Sequence, residues 1–199
     1  MTHPRFALKS LLAGTVLALA ASLSSAATVD VSGFKFDDTV KVASKDIKLN
    51  GAGMRTKFVA KVYAVGLYLP EKKNTTVDIL KEEGPRRITL QFARDITSDM
   101  FGKAFMEGLH DNIDKAEKQR IVGQISKMGE LFATVDNLKK GDVLQLDWIP
   151  GTGTQAILND KKLGAPIADI AFYNAILRIW LGDKPVDRSL KTTLLGEAK

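Results

Sequence analysis

The chain contains no cysteine at any of its 199 positions. Disulfide bonds, thiol nucleophiles, cysteine metal ligands and a lipoprotein anchor on cysteine are therefore excluded. Packing alone must hold the fold together. About 173 residues follow an N-terminal segment of distinct composition, which is enough for one domain with a full hydrophobic core.

Histidine is nearly as scarce, since the chain has only two. His3 belongs to the N-terminal segment and His110 falls on the polar side of a predicted helix, so no histidine is placed for Ser/His/Asp catalysis. A metal site of His110 with Asp111 and Asp114 is conceivable, but no second histidine and no suitably spaced carboxylate pair supports it. We interpret His110 as part of a solvated helix face, and we expect no metal and no cofactor.

Two glycine-containing stretches lack the signatures of nucleotide binding. Residues 151–154, GTGT, are not followed by Gly-Lys-Ser/Thr and predict a hairpin turn instead of a phosphate loop. Residues 51–53, Gly-Ala-Gly, lack the third glycine of a dinucleotide fingerprint and precede a strand. The formal net charge is +6, but no cluster of Lys and Arg with interleaved aromatic residues indicates a nucleic-acid partner.

Residues 1–26 have the features of a secretory signal peptide. Arg5 and Lys9 make the start positive, residues 11–21 are apolar but too short to span a bilayer in the usual way, and small residues precede a cleavage site after Ala26 or Ala27. We predict a single exported domain over residues 27–199, periplasmic or secreted, without a stable membrane anchor after cleavage. An uncleaved anchor is the alternative. We expect the exported protein to be a monomer.

Hydrophobic periodicity predicts an α+β domain. Residues 58–69 are mostly apolar and favour one central strand or two short consecutive strands, entered through a glycine-punctuated turn at 50–53. In residues 86–94 the alternation of apolar and polar side chains predicts a half-buried strand. The other predicted elements are an antiparallel ribbon over 28–49, a hairpin of 143–149 with 154–158, and helices at 77–80, 97–113, 114–133, 167–181 and 187–195. This order indicates helices packed on one face of an antiparallel sheet.

One arginine, Arg55, stands just before the apolar run. It is either a solvated charge at a strand end or a fixed cation at the rim of an apolar cleft. The sequence around it, GAGMR at 51–55 and KVYAVGLYLP at 61–70, is similar to a signature of the chalcone isomerase superfamily. MFGKAFMEG at 100–108 and ILRIWLGDKPVDRSLKTTLLG at 176–196 resemble the same family's helices.

The chain most resembles the bacterial, exported chalcone isomerase-like branch of this superfamily. The resemblance extends over nearly the whole chain beyond the predicted signal peptide, and its motifs occur in the same order. It implies an open-faced β-sandwich, in which a large antiparallel sheet carries a layer of helices on one face and a ligand cleft lies between them. This fold agrees with the α+β pattern that the periodicity predicts.

The resemblance also implies which residues face the cleft. The arginine of true chalcone isomerases, which stabilises negative charge during ring closure, falls on Arg55, and a threonine of the plant enzymes falls on Tyr63. The other polar positions of those enzymes are occupied here by side chains without polar groups, namely Phe101, Ala104, Gly108 and Ile179. This pattern argues against efficient flavonoid cyclisation and leaves open whether any catalysis remains.

These substitutions predict an apolar cleft with polar groups at one end. We expect Arg55 to anchor a small apolar or amphipathic acid such as a fatty acid, with Tyr63 as a second donor and Phe101, Ala104, Phe105, Gly108 and Ile179 as apolar walls. One alternative is isomerase or intramolecular-lyase activity on an enone-bearing phenol, through Arg55 and Tyr63. The other is a structural or partner-binding module, in which Phe101 and Ile179 fill the cleft.

Overall fold

A seven-stranded antiparallel sheet forms the centre of the molecule, in a computed structural model that describes residues 27–197. The strands of the chain are β1 (Thr28–Val31), β2 (Phe34–Asp37), β3 (Thr39–Val42), β4 (Lys45–Lys57), β5 (Ala60–Leu69), β6 (Arg86–Phe92), β7 (Ile96–Thr97), β8 (Asn137–Leu138), β9 (Val143–Ile149), β10 (Gly153–Leu158) and β11 (Lys161–Ile167). The large sheet has the order β11-β10-β9-β6-β5-β4-β3, while β1 pairs with β2 and β7 pairs with β8.

Six helices accompany these strands in the described part of the chain. They are α1 (Thr76–Leu80), α2 (Ser98–His110), α3 (Lys115–Arg120), α4 (Val122–Ala133), α5 (Ile170–Leu181) and α6 (Arg188–Leu194). α2, α4, α5 and α6 contribute buried side chains to the same core as β5, β6 and β9. The predicted architecture, a large antiparallel sheet with helices on one face, is therefore confirmed.

Strand β5 is covered on both faces, which explains its nearly continuous apolar sequence. Tyr63, Val65 and Leu67 belong to the core beneath the helices. Ala64 and Tyr68 face the other way, into a smaller core that the β1–β2 hairpin closes with Phe36. Arg55 on β4 pairs directly with Tyr63, and directly paired residues share a face, so Arg55 lies on the helix-covered face of the sheet.

The helices begin where short polar side chains cap them. Thr97 accepts a hydrogen bond from the Met100 N–H at the start of α2, and Asp187 accepts one from the Leu190 N–H at the start of α6. The helix predicted over 187–195 is thereby confirmed, and the helix predicted over 97–113 begins as expected but ends at His110. α5 begins three residues later than predicted, because β11 continues to Ile167.

The predicted glycine turn at 50–53 is wrong. These residues lie inside β4, with a β-bulge between Leu49 and Gly51, and the turn to β5 lies at Phe58 and Val59. The glycines serve close packing instead: a Cβ on Gly51 would lie 2.1 Å from the carbonyl oxygen of Thr193 in α6. The glycines therefore let a helix approach the sheet at backbone distance.

A second correction concerns residues 114–133, which the periodicity predicts as one helix. The chain leaves helical geometry at the buried Ile121, so that α3 ends and α4 begins there. The break places Glu117 of α3 in an ion pair with Arg178 of α5. α4 then turns its own apolar side chains into the core. Strand β11 was not predicted from the sequence at all.

The predicted signal peptide, residues 1–26, lies outside the described residues and stays a prediction. The prediction that one domain extends over the whole of 27–199 also stays a prediction. None of the helices within residues 27–197 is long and apolar enough to cross a membrane.

Substituting Gly51 tests the close approach of α6 to β4. We expect Gly51→Ala to lower the free energy of unfolding by about 1–3 kcal/mol, because the added methyl group meets backbone atoms that cannot move alone. Gly129→Ala is the matched control, since nothing lies within 4 Å of its Cβ position, and alanine in the exposed middle of α4 should stabilise by about 0.5–1 kcal/mol. Urea denaturation measures both. Equal effects of the same sign would contradict the packing role of Gly51.

Candidate functional site

A cavity of about 390 Å³ lies between the end of the β4–β5 hairpin, α2 and α5. The hairpin forms one wall, α2 a second, and α5 with the segment leading to α6 a third. Its lining residues are three cations, one tyrosine and twelve apolar residues: Arg55, Lys57, Arg94; Tyr63; Phe58, Val59, Ala60, Val62, Ile96, Met100, Phe101, Ala104, Phe105, Ile179, Trp180 and Val186.

Arg55 forms the polar end of this cavity together with Tyr63. The two residues are directly opposed on β4 and β5, and the guanidinium carbon of Arg55 lies 5.6 Å from the centroid of the Tyr63 ring. The Arg55 Nε is buried and has no hydrogen-bond partner among the described residues. A buried N–H donor without an acceptor is costly. Arg55 as a whole is half-buried and lines the cavity, so other atoms of its side chain are open to an incoming acceptor.

The Tyr63 hydroxyl is buried and held in place by a tryptophan. The Trp180 Nε1–H donates to it over 3.0 Å, and Tyr63 is only 5% exposed. Burial raises the pKa of Tyr63 above its ordinary value, although the neighbouring Arg55 and the Trp180 hydrogen bond oppose this shift. The phenol is therefore neutral at physiological pH and keeps one O–H for donation.

The walls are apolar and include aromatic rings in contact with each other. Phe101 packs edge-on against Phe92 and Phe132, with ring centroids 5.6 and 5.1 Å apart. Ala104, Phe105 and Ile179 complete the part of the wall that the sequence singled out. Phe101 and Ile179 stand beside the cavity and do not fill it.

Gly108 is the one predicted wall residue that the structure places outside the lining. It faces the contact between α2 and the end of α5, where an added Cβ would lie 2.9 Å from Ile179 Cγ2 and 3.3 Å from Val186 Cγ1. Gly108 therefore brings the two helices together and positions Ile179. It does not itself enlarge the cavity.

Several lining residues were missed by the sequence reasoning. Trp180 adjoins the predicted Ile179, but only the folded chain brings its indole to Tyr63. Lys57 follows Arg55 by two residues, and the period of a strand would have placed both on one face. Arg94 and Met100 come to the cavity from beyond β6, which no local pattern indicates.

The charged side chains that line the cavity are all positive. Its lining includes Arg55, Lys57 and Arg94 but no carboxylate. In the described part of the chain no group of three His, Cys, Asp or Glu side chains could hold a metal, and His110 is exposed on α2. The site is therefore suited to an anion with an apolar body.

The fold and the site define an open-faced β-sandwich with an apolar, cationic cleft between sheet and helices. Residues 28–196 match the sequence profile of the family described as chalcone isomerase-like, and the chain belongs to that family. A solved structure with the same fold is the Arabidopsis thaliana fatty-acid binding protein AtFAP1, with a TM-score of 0.67 and 16% sequence identity. The match covers 85% of this chain and 96% of AtFAP1. No curated protein sequence matches this chain significantly.

Removing the Tyr63 hydroxyl tests whether it organises the polar end of the cavity. We expect Tyr63→Phe to lower the free energy of unfolding by about 1–3 kcal/mol, because the buried Trp180 N–H loses its acceptor. Tyr68→Phe is the matched control: this tyrosine is also buried, but its hydroxyl has no hydrogen-bond partner within residues 27–197. Chemical denaturation followed by tryptophan fluorescence compares the two. Similar losses would contradict the assigned role of the hydrogen bond.

Proposed function

We propose that this protein binds a fatty-acid-like carboxylate in the cavity without transforming it, and that Arg55 anchors the carboxylate. The observation that carries this proposal is the Arg55 side chain, with its unpartnered Nε, in a cavity whose lining is mostly apolar and contains cations but no carboxylate. A ligand with one carboxylate and an apolar body is the simplest one that matches this cation and this apolar lining. Tyr63 is the second donor.

An arginine is well suited to this task. Its planar guanidinium presents parallel N–H groups that match the two oxygens of a carboxylate, and such charge-assisted pairs are among the stronger hydrogen bonds in proteins. The apolar surroundings reduce the screening of the attraction by water. Lys57 and Arg94 at the same cavity add favourable potential for an anion, and no lining carboxylate opposes it.

The rest of the cavity suits an acyl chain. Phe101, Ala104, Phe105 and Ile179 present no polar group that a hydrocarbon would leave without a partner. A volume of about 390 Å³ lies within the range of small-molecule sites. The structural likeness to AtFAP1, a fatty-acid binding protein, supports the same ligand class at the level of the fold.

Binding explains the lining better than turnover does. Ring closure of an enone-bearing phenol requires groups that accept or deliver protons, and the lining contains no carboxylate and no histidine; its polar residues are Tyr63 and the cations Arg55, Lys57 and Arg94. Burial also keeps Tyr63 in its neutral form, because its pKa is raised. If the protein instead accelerates such a ring closure above the spontaneous rate, and Arg55→Gln abolishes the acceleration, the isomerase alternative replaces this proposal.

We further propose that the protein belongs to the bacterial, exported branch of the family and works in the periplasm or outside the cell as a monomer. The support is the charge pattern, apolar stretch and small-residue site within residues 1–26. Intact mass spectrometry of the protein recovered from the producing cells tests it. The proposal requires an N-terminus at Ala27 or Thr28, and a chain retaining residue 1 contradicts it.

Neutralising Arg55 tests the anchor. We expect Arg55→Gln to weaken palmitate binding by about 10- to 100-fold, which corresponds to the loss of one charge-assisted contact. Arg188→Gln is the matched control, because Arg188 is exposed on α6 and lies outside the cavity lining. Native mass spectrometry of gently purified protein shows any copurified acid, and titration with palmitate gives the affinity. Equal binding by wild type and Arg55→Gln would contradict the anchor.

Filling the cavity tests the apolar wall separately from the anchor. We expect Ala104→Phe to weaken binding of palmitate more than binding of octanoate, because the added ring occupies space that only the longer chain needs. Ala116→Phe, on the exposed side of α3, is the matched control and should leave both affinities unchanged. A thermal-shift series over saturated acids of increasing length compares them. An equal loss for every chain length would place the acyl chain elsewhere.

A further inference from the structure

The tip of the β4–β5 hairpin consists of two exposed apolar residues. Phe58 is 93% exposed and Val59 is 98% exposed, so neither side chain contributes to the core. Phe58 also adopts a positive φ of 55°, a conformation that bulky residues seldom take and that Asn or Gly would adopt with less strain. Neither folding stability nor turn geometry explains these two residues, which points to a role outside the chain.

Cations flank this tip on both strands. Lys57 precedes it and Lys61 follows it, and both are exposed. Arg94, also exposed, lines the same cavity as the tip. Within residues 27–197 none of these three cations forms a salt bridge. They therefore remain available to an external anionic surface.

Carboxylates near the tip are few and partly engaged. Asp95, next to Arg94, accepts hydrogen bonds from the Lys140 N–H and the Lys139 ammonium group. Asp99 is exposed in the first turn of α2 and precedes Met100, which is 61% exposed at the cavity. The hairpin side of the cavity opening is therefore more basic than the α2 side.

We infer that this tip docks on a lipid bilayer with anionic headgroups and holds the cavity opening against it. An apolar point ringed by cations matches a membrane interface, where apolar side chains enter the acyl boundary and basic ones meet the headgroups. Two exposed side chains are a small area compared with the 20–30 residues per partner, on the order of 800 Å², of a stable protein interface. Charge complementarity and size both favour the bilayer over a protein partner.

Phe58 and Val59 also line the cavity, so docking would bring the ligand's entrance to the membrane. Exchange of an acyl ligand between bilayer and cavity rests on the proposed function. The docking itself does not, because it needs only the tip and its cations. Vesicle binding is therefore measured without any added fatty acid, and its failure would leave the Arg55 site untouched.

The first test is flotation with vesicles of phosphatidylcholine containing phosphatidylglycerol, using protein exported by its host and verified by mass to share one N-terminus. We expect salt-sensitive flotation that is weaker with pure phosphatidylcholine. Replacing both tip residues, Phe58→Ser with Val59→Ser, should lower the affinity about tenfold or more. Lys57→Gln with Lys61→Gln should lower it by about tenfold.

The matched control replaces two other exposed valines, Val77→Ser with Val122→Ser, which are 58% and 54% exposed on α1 and α4. It should float as the wild type does. Phe58→Trp adds a third tryptophan, at the tip, to Trp148 and Trp180. Brominated lipids in the anionic vesicles should quench more of the variant's fluorescence than of the wild type's. Three results would each overturn the inference: no flotation of the wild type, unchanged flotation of the tip variant, or no additional quenching in Phe58→Trp. A protein partner would then be the alternative occupant of the tip.

Discussion

The seating of α6 on β4 is the contact on which the site depends. Gly51 leaves no room for a Cβ, so the backbone of α6 lies directly against β4, and a Cβ on Gly53 would meet the Leu190 side chain. Asn50 fastens this contact, since its amide donates to the Leu194 carbonyl over 2.7 Å and to the Lys73 carbonyl over 2.9 Å. Two residues beyond Gly53, Arg55 continues on the same side of the strand. The pairing of β4 with β5 places the guanidinium against Tyr63, and the close contact fixes the end of β4 that carries Arg55 relative to the helix layer.

Several other arginines are buried or half-buried in this fold, and their partners can be compared with those of Arg55. Arg87 forms a two-point pair with Asp147 at 2.6 Å for each contact, and Arg178 pairs with Glu117. Arg86 is fully buried without such a pair, but it donates to the Ile79 carbonyl and the Asn174 amide oxygen and lies over the Tyr173 ring. The Nε and Nη2 of Arg86 have no hydrogen-bond partner within the described residues, so an unpartnered nitrogen alone does not distinguish Arg55. Arg55 also lies over a tyrosine ring, but unlike Arg86 it lines the cavity.

Features encoded by neighbouring residues could be predicted from the sequence, and features made by distant contacts could not. The alternation of Ile88, Leu90 and Phe92 reports a strand directly, and all three are buried as expected. Thr97 identifies the start of α2 because capping is local. Gly51 suggested a turn because glycine permits both a turn and a close approach, and the helix that decides between them lies some 140 residues further along the chain. The turn between β4 and β5 could not be predicted, because Phe58 and Val59 are not among the residue types that favour turns.

The cavity has a consequence for how long the folded molecule persists. It lies where β5, α2 and α5 meet, so its empty volume is a gap in the contact between sheet and helix layer. A ligand that fills this gap adds dispersion contacts with all three elements and binds only the folded state. The unfolded fraction therefore falls as the ligand concentration rises. In a chain without cysteine, no covalent cross-link replaces that contribution. The steady-state amount of folded protein in a compartment would then depend on the concentration of its ligand there.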